Sequence, residues 1–485
     1  MVEIPLLSSS EAPRARRWDA LILGSGIPAL VAAARIGGTG QRVLVVEEEA
    51  QSVLPPAIRE PFFLAGIRDE GVLDACLRAL TVPLIDRRRF AAERLAYQIA
   101  ADPYRLEIGQ PVVTADELVT WGLAKPDDAQ SLVRHLIESS EIERQLLLQA
   151  PFVRVGRRVA GSRGATGIGN HKRGLTGDAA TATGPLGQVI AAQIRSLSNL
   201  GQTPPSPEAQ ARLLGVGLAG GAGFADAPPW LADLLRKRVT ALYGDFRTLS
   251  GQFELVSVSG QPGIRVVRTG EIWLGRSLVL ASPLSSLYDT LGDDPNRPAP
   301  SLLDRRVSRG YRAVFLYRIP ATILPEGMNA RVILPGTRSG NTEVDRKVEA
   351  EGADPTVTVT AFPSQTQVGY VDLVARASIP ATNRESLPEQ LSNLGQSITA
   401  RLKALMPFCG DELEQIEVTP PQWDSDDGWL EDPPPGTGWP AEIDLRLSTR
   451  PPIYHLDRAA VAGLGLEGDL LLGWRGGDAI AAELA

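Results

Sequence analysis

A glycine-spaced turn near the start of the chain carries the residues best suited to binding a ligand. Its sequence is Gly24-Ser25-Gly26-Ile27-Pro28-Ala29, and it separates an apolar run from an alanine-rich stretch. In this G-x-G-x-x-A spacing the first glycine permits a tight turn and the second lets a pyrophosphate approach the backbone. The small last residue lets a helix pack closely on a strand. The N-terminus of that helix would attract phosphate through its free N–H groups and positive dipole end.

Two acidic residues, Glu47 and Glu48, follow a second apolar run at residues 43–46. A carboxylate about 20 residues beyond the turn can accept the hydroxyl groups of an adenosine ribose. We expect Glu47 to do this, with Glu48 as its substitute. The order of strand, turn, helix, strand and acid predicts a βαβ dinucleotide-binding unit. The alternative is an ordinary βαβ unit whose tight turn binds no ligand.

Composition argues against several classes of function. The chain has 485 residues, of which 43% are hydrophobic and 22% charged, as is usual for globular proteins. Its net charge of −8 argues against nucleic acid as a partner, because phosphate recognition needs a basic face. Cys76 and Cys409 are far apart and the three histidines are dispersed, so neither a disulfide framework nor a metal site is predicted.

The sequence shows neither a signal-peptide pattern nor an apolar run of about 18 residues, so we expect a cytoplasmic protein. One glycine-rich segment is basic within this acidic chain, and we interpret it as a solvated loop. The alternative is a loop that contacts anionic lipid headgroups or an acidic partner at the periphery of a membrane. The oligomeric state does not follow from the sequence. The basic residues of the segment are Arg154, Arg157, Arg158, Arg163, Lys172 and Arg173.

The spacing of apolar residues predicts helices and strands that interleave along the chain. Alternation over residues 95–99 and 104–108 predicts a hairpin around Asp102-Pro103. Thr114 and Glu117 have the spacing of a capping box. Residues 468–473 are predicted to form a last strand, and residues 476–485 a short final helix. Helical spacing covers residues 69–80, 127–148, 186–197, 229–242 and 386–405.

The order of these elements resembles that of flavoproteins of the flavin amine oxidase and phytoene desaturase superfamily. The glycine turn with its βαβ order is the one specific motif. Residues 95–108 are similar to the early cap hairpin of phytoene desaturase-like proteins. Residues 230–283 are similar to their second cofactor-side segment, which ends in a hairpin and an apolar strand. Further resembling pieces are residues 324–328, 402–407 and 468–485.

This resemblance implies an α/β fold in which an FAD-binding Rossmann-type domain is interleaved with a substrate (cap) domain. The cap domain would contain a mixed or antiparallel sheet and helices. The FAD-binding domain would comprise residues 18–95, 228–300 and 455–485. The cap domain would comprise residues 96–227 and 301–454.

Two places depart from the family pattern. Members carry a Gly-Gly-Arg element soon after the ribose acid, but residues 50–59 contain no glycine pair, and Arg59 is our candidate for the missing cation. Members also close on a Gly-Asp pair, whereas Trp474 follows Gly473 here. Gly476 and Gly477 could still open a helix against an anion. We therefore expect Gly473, Trp474, Gly476 and Gly477 to contact the cofactor.

The resemblance implies an FAD-dependent oxidoreductase that transfers hydride to or from an apolar, polyene-like or lipid-like substrate. A non-catalytic FAD-binding or scaffold protein of the same fold is the alternative, favoured by the two departures. An amine oxidase is the second alternative, although aromatic residues are only 5% of the chain and argue against an aromatic cage. No catalytic acid or base is identified. Candidate cavity aromatics are Phe62, Phe63, Tyr97, Trp121 and Phe224.

Overall fold

The computed structural model describes residues 6–7, 16–49, 55–67, 71–149, 153–155, 182–200, 204–224, 230–281, 310–336, 354–380, 387–416, 429–430 and 443–485. Within these ranges the chain forms two large sheets and two small ones, with helices packed against them.

The strands are numbered in chain order. They are β1 (Leu6–Leu7), β2 (Arg16–Leu23), β3 (Val43–Glu48), β4 (Phe90–Glu93), β5 (Leu95–Ala101), β6 (Tyr104–Gly109), β7 (Val153–Arg154), β8 (Gly221–Phe224), β9 (Asp245–Leu249), β10 (Phe253–Val258), β11 (Gln261–Val266), β12 (Ile272–Leu280), β13 (Gly310–Pro320), β14 (Arg331–Leu334), β15 (Val357–Pro363), β16 (Tyr370–Pro380), β17 (Glu414–Ile416), β18 (Trp429–Leu430), β19 (Ile443–Asp444), β20 (Arg446–Thr449) and β21 (Pro452–His455).

The α-helices are numbered in the same way, and two 3₁₀ helices cover Ala321–Ile323 and Arg458–Leu464. They are α1 (Ile27–Gly37), α2 (Pro56–Arg59), α3 (Val72–Ala79), α4 (Leu84–Arg87), α5 (Pro111–Thr120), α6 (Pro126–Gln149), α7 (Gly184–Leu197), α8 (Pro207–Leu218), α9 (Leu231–Ala241), α10 (Leu387–Leu405) and α11 (Leu466–Leu484).

The first sheet is a parallel sheet with an antiparallel edge. Its strands β9, β3, β2, β12 and β21 lie side by side, each parallel to the next. The meander β10–β11 joins the first half of β12. Residues 20–23 and 43–46 are buried on both faces, which explains why they read as continuous apolar runs rather than alternating ones.

Helix α1 is the centre of the layer on one face of this sheet. Nine of its 11 residues are buried, because α9 packs against it on one side and α11 on the other. Its alanine-rich sequence suits this place, since small side chains let neighbouring helices approach closely. This layer fixes where α1 begins, and therefore where the glycine turn lies.

The second sheet has the strand order β17–β13–β16–β15–β14–β5–β6. Alternate residues of β13, among them Phe315 and Tyr317, pack with α10 on one face. The other face carries Val314 and Leu316 of β13, which pack with Ile58 of α2. A third group of apolar side chains joins α6, α7 and α8 to the hairpin β5–β6. The predicted hairpin around Asp102-Pro103 is confirmed by the antiparallel pairing of β5 and β6.

Two predictions of local structure are wrong. Residues 468–473 are the interior of α11, which is one continuous helix to Leu484. Thr114 lies inside α5, which begins at Pro111, so the capping box does not form; its hydroxyl instead bonds the backbone of Gly109. The domain bounds stay a prediction. Strands β20 and β21, which lie at or before residue 455, belong to the first sheet, because β21 pairs with β12.

Candidate functional site

The glycine turn has the geometry that its sequence predicts. Gly24 follows β2 with φ of +115°, a conformation that L side chains rarely adopt. Its N–H donates to the Val46 carbonyl over 2.8 Å, which ties the turn to β3. Gly26 is the N-cap of α1, and that helix begins without a side-chain cap within the described residues. Its first turn therefore presents a positive dipole end to an anion.

Glu47 lies at the end of β3 beside this turn and is only 4% exposed. Its carboxylate accepts two bonds from Arg236 of α9, over 2.6 Å and 3.3 Å. The Arg236 guanidinium also lies over the Phe246 ring, 4.4 Å from the centroid. A carboxylate offers about four acceptor positions, so this pair leaves capacity for ribose hydroxyls. The side chain of Glu48 lies outside the described residues.

A cavity of about 170 Å³ connects the first turn of α1 with the second sheet. Ile27, the first residue of α1, lines one part of it. Arg312 of β13 and Arg376 of β16 line another part. Leu213 and Val216 of α8 add an apolar wall. The cavity therefore reaches the second sheet and several helices, among them α1, which packs on the first sheet.

Residues 58–65 contribute a continuous stretch of chain to the wall of this cavity. Arg59, Glu60, Phe62 and Phe63 all line it. The Nε atom of Arg59 is buried and has no hydrogen-bond partner within the described residues. A buried donor without a partner costs stability unless a ligand accepts from it. Arg59 therefore stays our candidate for the cation that contacts the cofactor.

Glu60 and Arg376 fix this wall to its neighbours. The Leu231 N–H at the start of α9 donates to both Glu60 oxygens, over 2.9 Å and 3.2 Å. Arg376 Nη2 donates to the carbonyls of Ala57, Ile58 and Glu60, over 3.2, 3.1 and 2.7 Å. Burial raises the pKa of the Glu60 carboxyl to about 8. Burial lowers the pKa of Arg376 to about 10.

The N-terminal turn of α11 supplies two further acids to the cavity. Glu467 accepts from Arg212 Nε and Nη2 over 2.7 Å and 2.6 Å. Asp469 accepts two bonds from Arg458 and one from Asn199, over 2.8 to 3.1 Å. Four of these five side chains are buried, and the fifth, Arg458, is 18% exposed. Both acids at this wall are thus neutralised by neighbouring arginines.

The predicted contacts of Gly473, Trp474, Gly476 and Gly477 with the cofactor lose their basis, because these residues lie in the middle of α11. Their N–H groups there bond within the helix. A Cβ on Gly473 would come within 2.5 Å of the Pro28 oxygen. A Cβ on Gly477 would come within 2.7 Å of Arg35 Cβ, and one on Gly476 within 2.7 Å of a Leu456 methyl. The structure gives these glycines a packing role.

The remaining candidates are divided between the cavity and other places. Tyr97 lies behind Phe62 and Phe63, with ring centroids 6.0 Å and 5.4 Å away. Trp121 is 39% exposed at the end of α5, away from the cavity lining. The side chain of Phe224 lies outside the described residues. So does most of the basic segment, namely Arg157, Arg158, Arg163, Lys172 and Arg173.

The described residues contain no cluster of His, Cys, Asp or Glu side chains that could hold a metal ion. No described helix is both long enough and apolar enough to cross a bilayer.

Arg236, Arg212 and Arg376 belong to this region, but the sequence analysis did not find them. Each is far along the chain from the group that it contacts: Glu47, Glu467 and the wall at residues 57–60. No local spacing connects such pairs. The signal that the sequence offers is an arginine between two alanines in a predicted strand, Ala375-Arg376-Ala377.

Comparisons with known proteins locate this arrangement among known folds. No protein-family model and no curated protein matches the sequence. A putrescine oxidase structure with bound putrescine is 13% identical, with a TM-score of 0.55 over 96% of this chain and 100% of that one. Cyclohexylamine oxidase from Brevibacterium oxydans is 14% identical, with a TM-score of 0.51 over 96% and 99%. An oxidoreductase from Methanosarcina mazei is 12% identical, with a TM-score of 0.52 over 94% and 99%.

At these identities the likeness shows the fold. The chain has the mixed α/β, Rossmann-type fold of these oxidases over nearly its whole length. The predicted fold class is therefore confirmed, and so is the amine oxidase-like fold within the resemblance. The phytoene desaturase-like part of the resemblance stays a prediction.

Proposed function

We propose that this chain is an FAD-dependent oxidoreductase. The observation that carries the proposal is the continuity between the glycine turn and the cavity. Ile27 belongs to the turn and also lines the cavity beside the second sheet. A dinucleotide held at the turn would therefore extend its reactive end into a space walled by helices and the second sheet. The shared fold with a putrescine oxidase and a cyclohexylamine oxidase supports the same class.

The residues at this site fit the cofactor. The uncapped start of α1 and Gly26 would hold the pyrophosphate. Glu47 would accept hydrogen bonds from the ribose hydroxyls while it keeps its ion pair with Arg236. The orphaned Nε of Arg59 would donate to the bound group. These contacts use groups whose hydrogen-bonding capacity is otherwise unfilled.

In the reaction, FAD supplies the ring that exchanges hydride with substrate carbon. The chain's own part is to bind, orient and exclude water. Phe62, Phe63 and Leu213 line the cavity and would keep water from the reacting carbon. Glu60 would hold a proton at the cavity wall at neutral pH, because burial raises its pKa to about 8.

We propose that the substrate has an apolar body, because the aromatic and aliphatic side chains of the cavity wall would contact it. Amine oxidation is the second candidate, favoured by the fold of the two amine oxidases. The acids at the cavity, Glu467 and Asp469, are already paired with arginines, which weakens the site for a cationic amine. Anaerobic mixing with apolar compounds and with primary amines separates the two, because the true substrate class bleaches the flavin.

The spectrum of the purified protein tests the proposal. We expect visible flavin absorbance that dithionite bleaches and oxygen or a quinone restores. Failure to bind FAD on reconstitution would contradict the proposal. Bound FAD that cannot be reduced and reoxidised would support the non-catalytic alternative instead.

Gly26→Val tests where the cofactor binds. The added side chain would occupy the space of the pyrophosphate, so we expect a folded protein without flavin. Gly327→Val is the matched control, because a Cβ at Gly327 meets nothing within 4 Å. A full flavin complement in Gly26→Val would remove the turn from the site.

A further inference from the structure

One face of the second sheet brings two arginines to the cavity. Val314 and Arg376 are direct partners on β13 and β16, and Thr358 of β15 is the partner of Arg376 on its other side. Arg312 precedes Val314 by two residues and so shares its face. All four residues line the cavity.

The guanidinium of Arg376 is bonded through one terminal nitrogen, whereas the other terminal nitrogen has no partner among the described residues. It is only 7% exposed. Its Nη2 donates to three backbone carbonyls of residues 57–60. Its Nη1 is buried and has no hydrogen-bond partner within the described part of the chain. The guanidinium is therefore fixed in position while one nitrogen remains able to donate to a ligand.

The charge around Arg376 is also unbalanced. Arg312, which donates to Asn199 and to the Ser198 carbonyl, is a second cation nearby that lowers the pKa of Arg376. The acid whose charge acts on Arg376 is Glu60, and its pKa of about 8 keeps it largely protonated at pH 7. A buried cation without a counter-charge is costly, and an anionic ligand would remove that cost.

We propose that this cavity binds a carboxylate of the substrate at Arg376, with Arg312 beside it. The inference rests on the proposed function and names its substrate class: an organic acid whose apolar body lies against Phe62 and Phe63. A carboxylate suits the available Nη1 atom of Arg376, because a carboxylate oxygen accepts an N–H donor in the plane of the carboxylate. The other source of an anion is the phosphate of the cofactor, and the test separates the two.

The test compares hexanoate, hexylamine and hexanol as probes of the holoprotein. Binding is measured by perturbation of the flavin spectrum and by calorimetry. We expect hexanoate to bind and the other two to bind at least about tenfold more weakly. Arg376→Gln should weaken hexanoate at least about tenfold and leave the flavin content unchanged. Arg401→Gln is the control, because Arg401 is largely buried and bonded to carbonyls but does not line the cavity.

Val314→Asp is the second variant, for the case that Arg376→Gln does not fold. Residues directly opposite on neighbouring strands have Cβ atoms about 5 Å apart, so the new carboxylate can pair with Arg376 Nη1. Hexanoate binding should then be lost, whereas Val314→Asn should retain it.

Equal hexanoate binding by wild type and Arg376→Gln, or no binding by wild type, would overturn the inference. Loss of flavin from Arg376→Gln, with flavin retained in Arg401→Gln, would assign the anion to the cofactor and also overturn it. Neither result touches the proposed function. Conversely, a wild-type protein without flavin would overturn the proposed function, while calorimetry with hexanoate would still decide the carboxylate site.

Discussion

A carboxyl group that keeps its proton near neutral pH stands at the wall of the cavity. Glu60 is buried, and the N–H of Leu231 is the backbone donor to both its oxygens. One such bond does not offset the loss of water around a charge, so burial dominates and raises its pKa to about 8. Glu60 thus lines the cavity and changes its protonation state within the pH range of ordinary assays.

Glu60→Gln should change how stability depends on pH. The folded-state pKa of Glu60 exceeds its ordinary value of 4.5. Its contribution to stability is therefore fully present below about pH 4.5 and is lost as the pH rises through about 8. The wild-type urea midpoint should fall more steeply across this window than that of Glu60→Gln, whose amide oxygen can still accept from Leu231. Parallel midpoints for the two proteins would show that Glu60 is already ionised when buried.

At this scale the sequence predicts what is local. Gly24, Gly26 and Glu47 lie within one βαβ unit, and the structure places them together because strand, turn and helix have fixed lengths. Arg236 meets Glu47 across about 190 residues of chain, and Arg376 meets Glu60 across more than that. Such pairs depend on the tertiary fold, and residue types and local spacing do not reveal which distant residues it brings together.

At the scale of elements, α11 shows why an apolar run is ambiguous. Leu470, Leu471 and Leu472 are all fully buried, and a short continuous apolar run is compatible with a buried strand or a buried helix. The flanking glycines favoured the strand in the sequence. In the structure Gly473 lets α11 approach α1, and Gly468 lets it approach the 3₁₀ helix Arg458–Leu464. These glycines therefore serve packing between helices rather than the ends of a strand.

Gly473→Ala should destabilise the protein by about 1–3 kcal/mol, because overpacking a close contact forces backbone movement. The added Cβ would lie 2.5 Å from the Pro28 oxygen and 2.7 Å from Val31 Cβ. Urea unfolding measures the effect, with Gly327→Ala as the control in open space. An unchanged midpoint together with lost flavin would return Gly473 to the cofactor site. A lowered midpoint with flavin retained after folding would confirm its packing role.

On the scale of the whole molecule, the cavity lies where α1, α8 and the start of α11 meet the second sheet. The hairpin β5–β6 was within reach of the sequence, because period-two alternation and turn residues define it. The junction was not, because it is made by side chains from distant segments. Arg212 of α8 bonds Glu467 of α11, Arg312 of β13 bonds Asn199 beyond α7, and Arg376 holds residues 57–60.

Of these contacts, the Arg212–Glu467 pair should lower the free energy of unfolding most when one of its two partners is removed. Both side chains are about nine-tenths buried, and Arg212 Nη1 also donates to the Ser140 carbonyl and hydroxyl. Arg212→Met leaves Glu467 as an uncompensated buried charge, which costs about 3–5 kcal/mol. We expect Arg212→Met with Glu467→Leu to recover much of that loss, since the second change removes the stranded charge. Urea unfolding of the two single variants and the double variant forms a cycle that measures the coupling.

The part-buried pair Arg144–Glu141 on α6 is the control for this cycle. Its glutamate is nearly half exposed, and surface pairs of this kind are worth about 0–1 kcal/mol, so Arg144→Met should barely change the midpoint. If Arg212→Met costs no more than Arg144→Met, the buried pair does not hold α8 against α11. If the double variant is stable yet loses flavin, Glu467 acts on the ligand as well, because it lines the same cavity. A stable double variant that keeps its flavin would limit the pair to joining α8 to α11.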